Sequence, residues 1–196
     1  MTDRWAADAG SIERAAARLR AGAVIAFPTD TLYAVGARAS DAGAVQRLYR
    51  AKRRPATQPL ILLVSGSAQI GGLATVSLAA EALMRRFWPG SLTLVLPARG
   101  GHPGQTVAFR APDHPVAMGL LKTLGEPIAS SSANPAGMPP PVDAGAVLDC
   151  LGGAIELVID GGSCPVGVPS TILDLSGATP RILRQGAIPE ADLIRR

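Results

Sequence analysis

Apolar runs and helical periodicities alternate along the chain. Residues 23–29 (AVIAFPT) are apolar on both faces of an extended segment, the pattern of a strand covered by two layers, and residues 59–64 (PLILLV) repeat it. Around these runs, apolar positions recur at helical spacing. Ser11 is the expected cap of a helix over residues 12–20 (IERAAARLR) that Gly22 ends. Asp41 introduces a second helix over 42–52, and Ser77 a third over 78–87 that Trp88-Pro89-Gly90 stops. Residues 115–125 predict another helix, and Asp143 introduces one over 144–152. Residues 91–98 and 106–112 predict two strands joined by a glycine-rich turn at Gly100, Gly101 and Gly104. Residues 127–134 (PIASSSAN) read as a strand running into a polar loop. Three strand-like pieces follow at 156–162, 170–176 and 180–186, and a short helix starts at Pro189.

Helices and strands alternate over the first two thirds and strands cluster at the end. This order predicts an α/β domain on a mixed sheet, not a purely doubly wound one. The length of 196 residues suits one compact domain, with a core over about residues 11–190. At 47% hydrophobic and 17% charged residues the chain supports a sizeable core and is not a disordered one. No apolar run reaches the roughly 18–20 residues of a membrane helix. The start, MTDRWAADAG, lacks the order of a signal peptide, so the expected location is the cytoplasm, with no membrane partner. Cys150 and Cys164 form no CxxC pair and stand far in sequence from His102 and His114. Neither a zinc site nor a structural disulfide is expected.

The formal charge of +4 is compatible with a nucleotide or nucleic-acid partner without establishing one. Arginine supplies most of the positive charge, and lysine occurs only at positions 52 and 122. Four stretches place polar groups directly after apolar strands, where α/β sheets bind ligands. PTDTLY (28–33) offers hydroxyls and a carboxylate, or only a turn. KRRPATQPL (52–60) holds three cations between Pro55 and Pro59. It is either a solvated charge run or a preorganised anion site. SSSAN (130–134) is dense in short hydrogen-bonding groups. VPSTILD (168–174) precedes Arg184. The loop 134–142 (NPAGMPPPV) reads either as a lid or as ordinary turns. No P-loop, Ser-His-Asp order or metal cluster can be assembled, which points to chemistry by positioning and charge neutralisation, as in phosphoryl or nucleotidyl transfer.

The ordered set PTDTLY, KRRPATQPL, WPGSLT, FRAPDHP, SSSANPAG, PSTILD and LRQG resembles the YrdC-like threonylcarbamoyl-AMP synthases, from about Ala21 to about Ile188. The resemblance implies a twisted, open, mixed α/β sheet with helices around a large basic concave cavity. It implies a nucleotidyltransferase that converts L-threonine, bicarbonate or carbon dioxide, and ATP with Mg²⁺ into threonylcarbamoyl-AMP and pyrophosphate. That product serves tRNA threonylcarbamoyladenosine formation at position 37 through downstream transfer proteins, and weak tRNA or double-stranded RNA binding is compatible. By the same resemblance Lys52 and Arg54 are catalytic and hold the phosphates and carbamate. Thr31, Tyr33, Gln58, Arg110, Ser130 and Ser170 meet threonine, while Ser132, Asn134 and Arg184 meet the nucleotide along with Lys52 and Arg54. Two departures stand out: Ala34-Val35 where the family has Gly-Leu, and Ala136 where it has a serine. The short chain is expected to lack the extra C-terminal domain of longer members. Two other readings are a carbamoyl-adenylate-handling paralogue like that of hydrogenase maturation and a non-catalytic RNA- or nucleotide-binding module. The 4% aromatic content makes base-stacking platforms scarce for the latter.

Overall fold

Side-chain caps set most of the helix starts. The computed structural model describes residues 1–100 and 104–193. Asp41, Ser77 and Asp143 accept the N–H of the third residue onward, opening α2 (Ala42–Ala51), α3 (Leu78–Phe87) and α5 (Ala144–Leu151) as expected. Helix α4 (Pro115–Leu124) starts with His114 as its cap and stops at Gly125, whose φ of +80° is the left-handed conformation glycine tolerates. Helix α1 (Ala9–Arg20) differs from expectation. Asp8 is its cap, taking the backbone N–H of Ser11 at 2.7 Å and its hydroxyl at 3.1 Å, so Ser11 lies inside the first turn. A short α6 (Glu190–Leu193) follows Pro189.

Ten strands form one mixed sheet: β1 (Asp3–Ala6), β2 (Ile25–Phe27), β3 (Ala34–Arg38), β4 (Ile61–Leu63), β5 (Leu92–Pro97), β6 (Thr106–Arg110), β7 (Ile128–Ser132), β8 (Leu157–Asp160), β9 (Thr171–Asp174) and β10 (Arg181–Arg184). Their order is β1-β8-β2-β3-β7-β4-β6-β5-β9-β10. The pairs β1/β8, β2/β8, β4/β6 and β5/β9 are parallel, and β2/β3, β3/β7, β4/β7, β5/β6 and β9/β10 are antiparallel. Strands β1 and β3 were not expected from the sequence. The AVGAR of β3 is poor in β-branched and aromatic residues, and its place between β2 and β7 comes from pairing with both. In the turn joining β5 and β6, Gly100 and Gly104 have φ of +70° and +86°, and Gly101 and His102 lie outside the described residues.

The alternation of strand side chains sorts the core into layers. Ile25 and Phe27 pack with α1 and α4, through Ala16, Leu19, Leu120 and Leu121. Val24 and Ala26 pack on the opposite face with α2 and α5, through Leu48, Val147 and Leu151. Leu94, Leu96, Phe109 and Leu173 continue that opposite face against Ala80 and Met84 of α3. Helices α1 and α4 thus cover one end of the first face. Farther along, that same face carries Ser130, Ile61, Ala108, Val95 and Ile172, and these residues line a cavity instead. Among the described helices none is long and apolar enough to cross a membrane. Both cysteines are free, and Cys164 is buried.

Candidate functional site

The cavity encloses about 460 Å³. Its floor is built from register partners: Ala34 opposite Ser132, Ile61 opposite Ser130 and Ala108, Leu63 opposite Arg110, and Val95 opposite Ala108. Small side chains at Ala34, Ala108, Ser130 and Ser132 leave the hollow that larger residues would fill. Five loops and strand ends complete the wall, bringing in Thr29 and Thr31, Arg54 and Pro59, Asn134, Met138 and Pro140, Pro169 and Ser170, and Arg184. Three arginines, Arg54, Arg110 and Arg184, line it, and no carboxylate among the described residues does.

The PTDTLY segment is the connection between antiparallel β2 and β3, so the sheet pins both its ends. Thr29 organises it. Its hydroxyl donates to Leu32 O at 2.7 Å and accepts the N–H groups of Thr31 and Leu32. Thr31 Oγ1 accepts Arg110 Nη1 at 2.7 Å. Behind them Asp30 takes Arg110 Nη2 at 2.5 Å, Ser91 Oγ at 2.7 Å and the Asp113 N–H at 3.0 Å, all buried or partly so. Burial lowers the Arg110 pKa while Asp30 works to raise it. The guanidinium also donates from Nε to Gly90 O at 3.0 Å, so it is held from three sides and still lines the cavity. Tyr33 turns its hydroxyl away. It donates to Gly162 O at 2.9 Å and accepts Gly161 N–H at 3.2 Å, and burial lifts its pKa to about 12, while the side chain lies in the buried cluster with Val24, Ala26 and Cys164.

Ser170, 2% exposed, joins Thr93 Oγ1 at 2.8 Å, and Arg184 grips the Ser170 carbonyl with Nε at 3.1 Å and Nη2 at 2.8 Å. Burial and the field of Arg110 both lower the Arg184 pKa. Arg184 therefore belongs with Arg110 and Ser170, and the grouping expected from sequence, Arg184 with Arg54, Ser132 and Asn134, is split. Gly186 makes this approach of β10 to the 169–170 segment feasible, because a Cβ there would stand 2.3 Å from Pro169 O.

Nine of the eleven candidate residues line the cavity: Thr31, Tyr33, Arg54, Arg110, Ser130, Ser132, Asn134, Ser170 and Arg184. Ser130 to Ser132 lie inside β7, not in the loop after it. Ser130 Oγ donates to Val35 O at 3.1 Å, whereas Ser132 Oγ has no partner among the described residues. Two candidates are elsewhere. Gln58 is exposed and held by its backbone: its carbonyl accepts Tyr49 Oη at 3.0 Å and, weakly, Arg54 Nε, and its N–H donates to Pro55 O at 3.0 Å. Lys52 is 1% exposed and stands behind the wall, its ammonium donating to Ser132 O and Asn134 O at 2.5 Å each. Burial, then the nearby Arg54, brings the ammonium down to about 8. The lysine expected to hold phosphates and carbamate is turned instead to two carbonyls of the 132–134 stretch, of which Ser132 O also accepts the Asn134 N–H at 3.0 Å. Sequence reasoning flagged the hydroxyls and carboxylate of PTDTLY but gave Thr29 and Asp30 no role, and it missed the apolar lining. Thr29 was visible as the hydroxyl two residues before Thr31, and Val95, Ala108 and Ile172 as alternate strand positions.

Among the described residues no group of three His, Cys, Asp or Glu side chains could hold a metal ion. The model of the family described as telomere recombination (Sua5/YciO/YrdC) matches residues 17–186. The threonylcarbamoyl-AMP synthase of Bacillus subtilis is 40% identical over 201 residues, covering 98% of this chain and 58% of that protein. The solved structure of Pyrococcus abyssi Sua5 complexed with L-threonine superposes with a TM-score of 0.92 at 40% identity, covering 98% of this chain and 59% of the other. E. coli YciO superposes with a TM-score of 0.86 at 28% identity and is matched over 96% of its length. This chain thus spans a little over half of the first two relatives and nearly all of the third. With the family model matched over residues 17–186 and 40% identity to the B. subtilis relative over 98% of its own length, the chain belongs to the Sua5/YciO/YrdC family.

Proposed function

We propose that the protein is a threonylcarbamoyl-AMP synthase, joining L-threonine, bicarbonate and ATP into threonylcarbamoyl-AMP with release of pyrophosphate. The observation that carries this reading is a cavity whose charged lining is wholly cationic, with Arg54 at one part of the wall and the Arg110–Arg184 pair at another, joined by a hydroxyl-rich floor. Such a wall suits two anions that must meet. The B. subtilis relative carries the synthase name and the P. abyssi relative binds L-threonine, which supports the same assignment for the domain shared with them.

In the reaction bicarbonate takes up a proton and loses water to give carbon dioxide, and the threonine amine attacks that carbon and releases a proton to solvent, giving a carbamate. A carbamate oxygen then attacks the α-phosphorus of ATP, and the bond from that phosphorus to the bridging oxygen of pyrophosphate breaks, its electron pair leaving with pyrophosphate. Bringing the two anions together costs on the order of 4 kcal/mol per close charge pair at an effective dielectric near 20. In this reading Arg110, anchored by Asp30 and Thr31, takes the threonine carboxylate with Arg184 and Ser170 beside it. Arg54, tied to Pro59 O at 2.9 Å, meets the triphosphate, and Ser132 and Asn134 contact the nucleotide between them. Mg²⁺ enters as part of MgATP and neutralises phosphate charge. With no carboxylate in the lining, phosphate oxygens, water and hydroxyls would be its ligands. The recessed floor keeps water from the carbamate and the mixed anhydride. The reading includes a cytoplasmic location and delivery of the product to tRNA-modifying transfer proteins.

Incubation with ATP, Mg²⁺, labelled bicarbonate and L-threonine tests this. Threonine-dependent label in an adenylate, with one pyrophosphate per adduct, is expected. Label without threonine would assign the protein to carbamoyl-adenylate chemistry, and nucleotide or RNA binding with no adduct would make it a binding module.

A further inference from the structure

The basic segment KRR ends α2 in a left-handed cap. Arg53 N–H bonds to Arg50 O at 3.0 Å and Arg54 N–H to Tyr49 O at 3.0 Å, with Arg53 at φ +49° where such caps usually carry glycine. The reversal separates the three cations. Arg53 is exposed, Arg54 joins the cavity wall, and Lys52 is enclosed.

We propose that Lys52 is a positioning residue, a strut that fixes the 132–140 wall of the cavity and acts on substrates only through it. The inference rests on the cavity being the substrate site proposed above. Three bonds join Lys52 to a five-residue stretch: Nζ to Ser132 O and to Asn134 O, and Lys52 O from Ala136 N–H at 3.0 Å. Asn134 passes the constraint on, because its Nδ2 donates to Pro135 O at 3.1 Å and Met138 O at 2.5 Å. Those donations settle which way the amide faces. Asn134 Oδ1 is buried with no partner among the described residues, in a residue that lines the cavity. Ser132, Asn134, Met138 and Pro140 all present themselves to the cavity from this pinned stretch. Without the ammonium, Asn134 O loses its donor and Ser132 O keeps only the Asn134 N–H at 3.0 Å, so Asn134 O recovers a partner only by turning the wall toward water.

The test compares Lys52→Met, which keeps the stem and removes the donors, with Arg54→Gln, which removes a lining charge, and with Arg53→Gly as a cap control. Amide hydrogen exchange of the ligand-free proteins is read across residues 130–140, alongside the dependence of pyrophosphate release on ATP and on threonine. For Lys52→Met the strut predicts exchange faster by roughly tenfold or more in this stretch alone and a common loss of kcat/KM toward both substrates. Arg54→Gln should leave exchange unchanged and weaken ATP use, and Arg53→Gly should behave as wild type. Wild-type exchange in Lys52→Met together with a selective loss for ATP would overturn the proposal and give the ammonium to the phosphates. Because only Lys52 and Lys122 are lysines, the side-chain ¹⁵N spectrum of the unaltered protein provides a second measure if Lys52→Met does not fold. A slowly exchanging Lys52 ammonium coupled to two carbonyls, with and without MgATP, is expected. Loss of those couplings on adding MgATP would refute the strut. If wild type makes no adduct, the functional reading fails, while the ligand-free exchange result still decides the strut.

Discussion

Removing the Asp30 carboxylate attacks the support of the cationic wall. Asp30 and Arg110 pair at 2.5 Å with side chains only 8% and 7% exposed. Asp30 also holds Ser91 Oγ and the Asp113 N–H, so one carboxylate ties together three segments distant in sequence. In Asp30→Ala the guanidinium stays enclosed with its charge uncompensated, and burial already disfavours that charge. Breaking one side of such a pair costs about 3–5 kcal/mol. For a chain of this length each kcal/mol moves the melting temperature by about 2–4 °C, so Asp30→Ala should melt about 6–20 °C lower. Asp30→Asn keeps an acceptor for Arg110 and Asp113 and can offer its amide to Ser91 Oγ, so its loss should be smaller, about 1–3 kcal/mol. Adding Arg110→Met to Asp30→Ala removes the stranded charge and should recover part of the stability. Urea and thermal unfolding of wild type, Asp30→Ala, Arg110→Met and the double variant form a double-mutant cycle. An Asp30→Ala protein melting within 2 °C of wild type, or a double variant showing the plain sum of both losses, would refute the coupling.

Three other outcomes follow from local geometry. Arg53→Gly relieves a left-handed arginine and should stabilise the fold by about 1 kcal/mol, raising the melting temperature with no change in pyrophosphate release. No gain on thermal unfolding would mean that the cap is unstrained. Gly186→Ala sets a methyl group 2.3 Å from Pro169 O and 2.4 Å from the Ser170 carbonyl carbon. It should cost about 1–3 kcal/mol and raise the KM for threonine by shifting Ser170 and Arg184, whereas an unchanged threonine titration would disconnect that segment from the amino acid. Lys52 loses its proton at about 8 in the folded chain and at 10.5 when unfolded, so the unfolded state holds more protons between those values. Stability should therefore rise with pH across that window, by at most about 3 kcal/mol at 1.36 kcal/mol per pH unit, and the slope should vanish in Lys52→Met on urea unfolding. The neutral amine still has two N–H groups for its two carbonyls, so the wall survives the titration.

What the sequence by itself determined is local. Asp41, Ser77, Asp143 and Gly125 mark helix ends because a cap is a bond between residues three or four apart. Ser11 misled because Asp8, three positions earlier, captured its N–H first. The ordered motifs also named most of the cavity wall, since polar groups after apolar strands collect at one end of a sheet. Tertiary structure alone decided the rest. The AVGAR strand exists through its neighbours β2 and β7, as its own residues favour no strand. Arg184 joins Arg110 only because β10 lies along β9 and brings it onto the Ser170 carbonyl. Lys52 and Arg54, two residues apart in one basic run, face different surroundings because Arg53 reverses the chain between them and a stretch eighty residues later supplies the carbonyls for Lys52. Burial and long-range pairing depend on which distant segment arrives alongside, and no short window of sequence contains that segment.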